Sequence, residues 1–113
     1  MNKYVPDRYD VVWLDLDPQK GREVTKRRPF LTLSPRAYNA KVGLLIGCPI
    51  TSQVKGYPFE VLVKAAKNIN GAVLADQVKS LDWRERHAAY ITRVEHHIAE
   101  QVSAYLKLLL ESS

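Results

Sequence analysis

An α+β chain that is mostly β is predicted here: a small, strongly curved barrel or half-barrel covered by a C-terminal amphipathic helix. Three observations predict it. Short alternating or β-branched runs recur between residues 10 and 93. Glycine, proline and asparagine punctuate the gaps between them. From residue 94 onward the apolar residues change to three- and four-residue spacing.

Residues 10–17 alternate, with Val12, Leu14 and Leu16 on one side and Trp13, Asp15 and Asp17 on the other. That pattern is a strand with one buried face. Residues 30–34 and 44–50 are the next two strands. Gly56 and Pro58 mark a turn before a fourth at 59–63. Asn70-Gly71 is a hairpin-type turn leading into a strand at 72–78. Residues 80–84 form a single helical turn capped by Ser80, and residues 87–93 a closing strand. The helix then carries Val94, Ile98, Val102, Tyr105, Leu106 and Leu109 on one stripe. Thr92 and Glu95 form the capping box that starts it, and it runs for about four turns.

With 113 residues the chain is expected to be one domain, residues 1–113, able to bury a core without staples. The single cysteine, Cys48, excludes an internal disulfide, fits a reducing compartment and lies in an apolar run as a core residue. No apolar segment approaches the roughly 18 residues of a membrane span, and no signal-peptide core is present. A cytoplasmic location is expected. The net charge of +5 favours an anionic partner such as nucleic acid, an anionic membrane surface or an acidic peptide.

Charge placement says more than the total. Residues 20–28 hold five of the seventeen cations, Lys20, Arg22, Lys26, Arg27 and Arg28, around one carboxylate, Glu23. Arginine offers a planar fork of donors matched to phosphate oxygens, so such a loop can wrap a phosphate. A lone Glu among those cations stays ionised and is a candidate proton acceptor. The competing explanation is a solvated basic loop.

Other site types find little support. His96 and His97 diverge by about 100° on a helix and cannot share a metal, and Cys48 alone gives no zinc spacing. All three histidines, His87 included, are expected to be structural or solvated. Trp13 and Trp83 are expected in the core or at an interface. No cofactor-binding loop is present.

The order of short motifs carries a resemblance. Val5-Pro6-Asp7, Trp13-Leu14-Asp15-Leu16-Asp17-Pro18, Gly21-x-Glu23, Arg28-Pro29 and Leu33-Ser34-Pro35 follow one another. Pro49-Ile50-Thr51-Ser52-Gln53, Lys55-Gly56-Tyr57-Pro58-Phe59-Glu60 and Leu74-Ala75-Asp76-Gln77-Val78-Lys79-Ser80 continue the series. In register over about residues 5–84, the chain resembles the MazF/PemK toxin family. The resemblance implies an SH3-like barrel related to the CcdB gyrase poison, and a homodimer. It implies sequence-specific, metal-independent cutting of single-stranded RNA, and neutralisation by a cognate antitoxin. The family's catalytic arginine falls on Arg28, its threonine on Thr51 and its first-loop acid on Glu23. Lys20, Arg22, Gln53, Lys55, Asp76, Gln77 and Lys79 become the expected RNA contacts. The chain departs from the family at Val24, where Gln is usual, and at Lys26, where Gly is usual.

The expected chemistry is attack of the RNA 2′-oxygen on the adjacent phosphorus, leaving a 2′,3′-cyclic phosphate and a 5′-hydroxyl. Arg28 would stabilise charge on the phosphoryl oxygens, Thr51 would bond a non-bridging oxygen, and Glu23 would accept the proton. Two alternatives stand beside it: a CcdB-like poison that acts by docking on a protein, and a nucleic-acid-binding module without catalysis. Both predict folded protein that leaves RNA intact.

Overall fold

The computed structural model describes residues 3–16, 26–65 and 69–111. Within them the order is β1 (Asp10–Asp15), β2 (Arg27–Thr32), α1 (Arg36–Val42), β3 (Leu44–Thr51), β4 (Glu60–Ala65), β5 (Ile69–Leu74), β6 (Lys79–Asp82), β7 (Ala89–Arg93) and α2 (His96–Glu111). All strand pairings are antiparallel. The strands follow the path β4-β5-β3-β2-β1-β7, and β6 also pairs with β3.

β3 carries that topology. Its first half pairs with β6 and its last two residues, Ile50 and Thr51, pair with β5, while β2 lies on its other side. One strand serving two successive partners on one side is how the sheet curls. The expected curved half-barrel with a C-terminal helix is therefore present.

Two apolar clusters lie on opposite faces. One gathers Val11, Leu31, Cys48, Ile50 and Val73 under Ile98, Ala99 and Val102 of α2. The other gathers Val12, Leu14, Phe30, Leu45 and Trp83 beneath the N-terminal segment. β1 is thus buried on both faces, not one. Its Asp15 is only 4% exposed, against the expectation from alternation. Cys48 is core as expected, and burial followed by the charge of Asp76 pushes its thiol up to about 12.

Several local expectations are corrected. Asn70-Gly71 is not a turn: both residues sit inside β5, opposite Lys64 and Val63. Ser80 caps no helical turn, since Ser80 and Leu81 pair with Ile46 and Leu45 of β3. The turn follows two residues later, where the Asp82 carboxylate accepts the Glu85 N–H at 2.9 Å. Thr92 pairs with Val11 in β7, so the Thr92–Glu95 capping box does not form. The Glu95 carbonyl accepts the first α2 bonds, from Ile98 and Ala99. Leu109, placed on the buried stripe by spacing, is 42% exposed.

The short helix α1 escaped the sequence-based expectation because it carries no apolar stripe; its buried residue is Asn39. Its ends were nonetheless written in the sequence. Pro35 stands at the N-cap and Gly43 closes the helix at φ 83. Asn39 ties it down by donating to the carbonyls of Pro6 and Ser34, while its own carbonyl accepts the Trp83 indole N–H. Trp83 is structural, as expected.

Pro35 offers α1 no side-chain cap, and Asp7 supplies one from another segment. Its Oδ1 accepts the N–H of Arg36 at 3.0 Å and of Arg8 at 2.8 Å. Slight burial acts to raise the carboxyl's pKa, but these two donors and the charges of Arg93 and Arg36 outweigh it and hold it below the usual carboxylate value. A folded pKa below the unfolded one gives stability that is complete above the unfolded pKa and lost as pH falls through the folded value. Asp7→Asn should therefore lower the urea midpoint near neutral pH, with the difference from wild type closing below about pH 4. A difference independent of pH would rule out this charge-based capping.

Candidate functional site

Arg27 and Arg28 are consecutive residues at the start of β2, so their side chains set out toward opposite faces of the sheet, and at this strand end both border one cleft. Arg27 lies across from Asp15, and Arg28 across from Leu14. Between β2 and β3, Phe30 pairs with Pro49. Arg28 and Thr51 each lie two residues beyond that last pair, on the same side of their strands as Phe30 and Pro49.

Both residues line a cleft of about 440 Å³ where β2, the end of β3 and the start of β5 meet. Trp13, Arg27, Ser52, Gln53 and Asn70 complete much of its wall. The Thr51 hydroxyl accepts the Gln53 backbone N–H at 3.1 Å, which fixes its rotamer and leaves its own proton to donate. Arg28 lines the cleft, and no described residue hydrogen-bonds or pairs with its guanidinium.

Arg27 has a different fate. Its Nε pairs with the buried Asp15 carboxylate at 3.1 Å, and its guanidinium also donates to the His87 carbonyl at 2.9 Å. The other Asp15 oxygen lies 2.7 Å from His87 Nδ1. His87, expected to be structural or solvated, is thus tied to the neighbour of Arg28. His96 and His97 are exposed on α2.

Of the expected RNA contacts, Gln53 lines the cleft beside Arg28 and Thr51. Lys55, Asp76, Gln77 and Lys79 are exposed but do not line it. Lys20, Arg22, Glu23 and Val24 lie outside the described residues. Lys26 is within them, and its carbonyl accepts the Leu16 N–H at 3.1 Å, which extends the β1–β2 ladder.

Residues 7–110 match the family of PemK-like, MazF-like toxins of type II toxin–antitoxin systems. The chain belongs to that family. The endoribonuclease toxin MazF of Escherichia coli K12 is 42% identical over 110 residues, covering 97% of this chain and 98% of the relative. Endoribonuclease MazF9 of Mycobacterium tuberculosis is 33% identical, covering 88% and 92%. The crystal structure of a MazE–MazF complex from Deinococcus radiodurans superposes with a TM-score of 0.86 at 44% identity, covering 98% of this chain and all of that one.

Within this MazF/PemK chain, sequence reasoning missed Gly71 and Asp15. A side-chain carbon on Gly71 would stand 1.9 Å from the Thr51 carbonyl oxygen and 2.9 Å from its carbon. β5 can approach the end of β3 only because Gly71 has no side chain. The signal was an isolated glycine in a strand-like run, which marks close backbone approach as readily as a turn. Asp15 was masked by alternation, which assigned it to solvent.

Gly71→Ala must push the Thr51 backbone away from β5. RNA cutting should fall on the order of 10²-fold while far-ultraviolet dichroism stays native. Unchanged cutting would show that Thr51 need not be held this closely.

Proposed function

We propose that the chain is the endoribonuclease toxin of a toxin–antitoxin pair, cutting single-stranded RNA sequence-specifically and without a metal. The observation that carries this is the meeting of Arg28 and Thr51 on one face of the cleft. Transesterification needs charge stabilised on the phosphoryl oxygens, and a guanidinium fork with an adjacent hydroxyl donor suits that task.

In the proposed reaction the RNA 2′-oxygen forms a bond to phosphorus as the bond to the 5′-oxygen breaks. The products are a 2′,3′-cyclic phosphate and a 5′-hydroxyl. Arg28 spans the non-bridging oxygens as their charge grows, and Thr51 donates its proton to one of them. Arg28 acts as a charged donor fork. The 2′-proton passes to Glu23, assigned on the family resemblance, and solvent protonates the departing oxygen. Arg27, held by Asp15, adds a fixed positive field beside the scissile group. Gln53 contacts the RNA in the cleft, while Lys20, Arg22, Lys55, Asp76, Gln77 and Lys79 contact it further along.

A cognate antitoxin is the proposed partner, its acidic, apolar-dotted C-terminal segment folding over the RNA groove. The net charge of +5 and the solved MazE–MazF complex of the relative support this. A homodimer is proposed as well. It is supported by an apolar groove of about 620 Å³ bordered by Leu33, Tyr38, Ile46, Val78, Leu106 and Leu110, an exposed patch of the kind subunits cover. The whole chain acts as one toxin domain in the cytoplasm, where messenger RNA is exposed. No described helix is long and apolar enough to cross a membrane.

The deciding experiment incubates purified dimer with a long synthetic RNA in EDTA and maps the new 5′ ends. Discrete cuts with cyclic-phosphate ends are expected. Arg28→Ala and Thr51→Ala should each lower the rate about 10²-fold or more with the fold intact. Wild-type rates in both would remove the assignment, and toxicity persisting without RNA cleavage would favour a protein-docking poison.

Phosphate contacts make a second quantity measurable. Contact with four phosphates weakens binding about fifty-fold between 50 and 200 mM salt, from the single-strand counterion slope. A flat response would exclude a basic RNA cradle.

A further inference from the structure

The segment after Thr51 leaves the cleft and returns at Glu60, the first residue of β4. Residues 52–58 are all exposed, and no strand pairing holds them. A side chain holds them instead. Glu60 Oε1 accepts the Gly56 N–H at 2.9 Å, and Oε2 accepts the Lys55 N–H at 3.1 Å. Gly56 stands at φ 81, and successive N–H groups converging on one acceptor form an anion-binding nest. Glu60 is itself anchored, paired with Leu74 of β5 and donating its N–H to the Tyr57 carbonyl at 3.1 Å.

The loop is therefore tied at both ends, to Thr51 through Gln53 and to β4 through Glu60. Between the ties it exposes Val54, Lys55 and Tyr57, the last 63% accessible. A cation with an exposed aromatic is what single-stranded RNA binds, by phosphate pairing and base stacking. A carboxylate beside such a path repels phosphate, and the Lys55 and Gly56 N–H dipoles aimed at Glu60 offset part of that field.

We propose that Glu60 is a positioning residue for RNA recognition. By clamping the Lys55–Gly56 backbone it presents Lys55 and Tyr57 beside the cleft, and so sets which nucleotide flanking the cut is accepted. This rests on the cleft being the site of RNA cutting.

The test uses Glu60→Ala, Glu60→Gln and Gly56→Ala in the whole chain, with a randomised RNA pool. The pool is supplied unmodified for cutting and fully 2′-O-methylated for binding selection. Glu60→Ala should relax base preference at positions flanking the cut and raise KM roughly tenfold, with kcat little changed. Glu60→Gln should fall between it and wild type. Gly56→Ala, strained at the other end of the same nest, should relax the same positions. Unchanged preference and KM in Glu60→Ala and Gly56→Ala would overturn the proposal, as would a fall in kcat alone with preference intact. Should wild type leave the unmodified pool whole, the cleft assignment falls. The methylated pool still judges the loop: identical enriched sequences with and without Glu60 would refute the clamp, and different ones support it.

Discussion

Everything about the cleft depends on how β3 divides its hydrogen bonds. A strand edge can serve only one partner at each residue, so β6 must end before β5 begins on that side. The hand-over occurs between Gly47 and Ile50, and it turns the sheet there. Thr51, the last residue of β3, emerges where the turned sheet faces β2. Register then decides chemistry, because a slip of one residue would bring Arg27 to Thr51 and send Arg28 to the Asp15 side. The close approach at Gly71 fixes the third wall by contact between backbones, leaving little slack in where the Thr51 hydroxyl stands.

Two adjacent arginines thereby acquire different jobs. A buried carboxylate without partners would be costly, and Asp15 meets that cost with Arg27 on one oxygen and His87 on the other. His87 adopts φ 53, a strained backbone for a residue with a side chain, and its carbonyl and ring both face this cluster. The strain sits where three segments distant in sequence converge. Arg27 is held by it, so the cleft receives a fixed cation beside Arg28, whose guanidinium no described residue binds. Fixed charge contributes field without reorganisation, while an uncommitted fork can follow oxygens whose positions change during reaction.

Much of this was legible in the residues. Periodicity gave the strand-rich body and the terminal helix, because burial imposes a spacing that composition records. The errors cluster where backbone geometry had two explanations. Asn70-Gly71 reads as a turn by propensity, yet Gly71 serves a steric need in a strand, visible only once Thr51 lies against it. Ser80 reads as a helix cap, but β3 offered an unpaired edge, and tertiary pairing outweighed local preference. Asp15 reads as solvent-facing because alternation cannot report a second buried face. Arg28 and Thr51 came from motif resemblance, not spacing; no pattern of polarity distinguishes Arg28 from Arg27 before the register is known.

The division between sheet and loop has a consequence for how this family can vary. Arg28 and Thr51 sit on strands whose register is locked by cores on both faces, so their relative position tolerates little change. The segment after Thr51 is exposed and hangs from a few polar ties, and substitutions there leave the cores untouched. Lys26, beside Arg27, carries a side chain and continues the ladder to Leu16 through its carbonyl. On the proposed assignment, selectivity lies in the loops and the cutting geometry in packed strands. A chain built this way is expected to keep its chemistry and change its target, since the free energy that holds the two arises from different parts of the molecule.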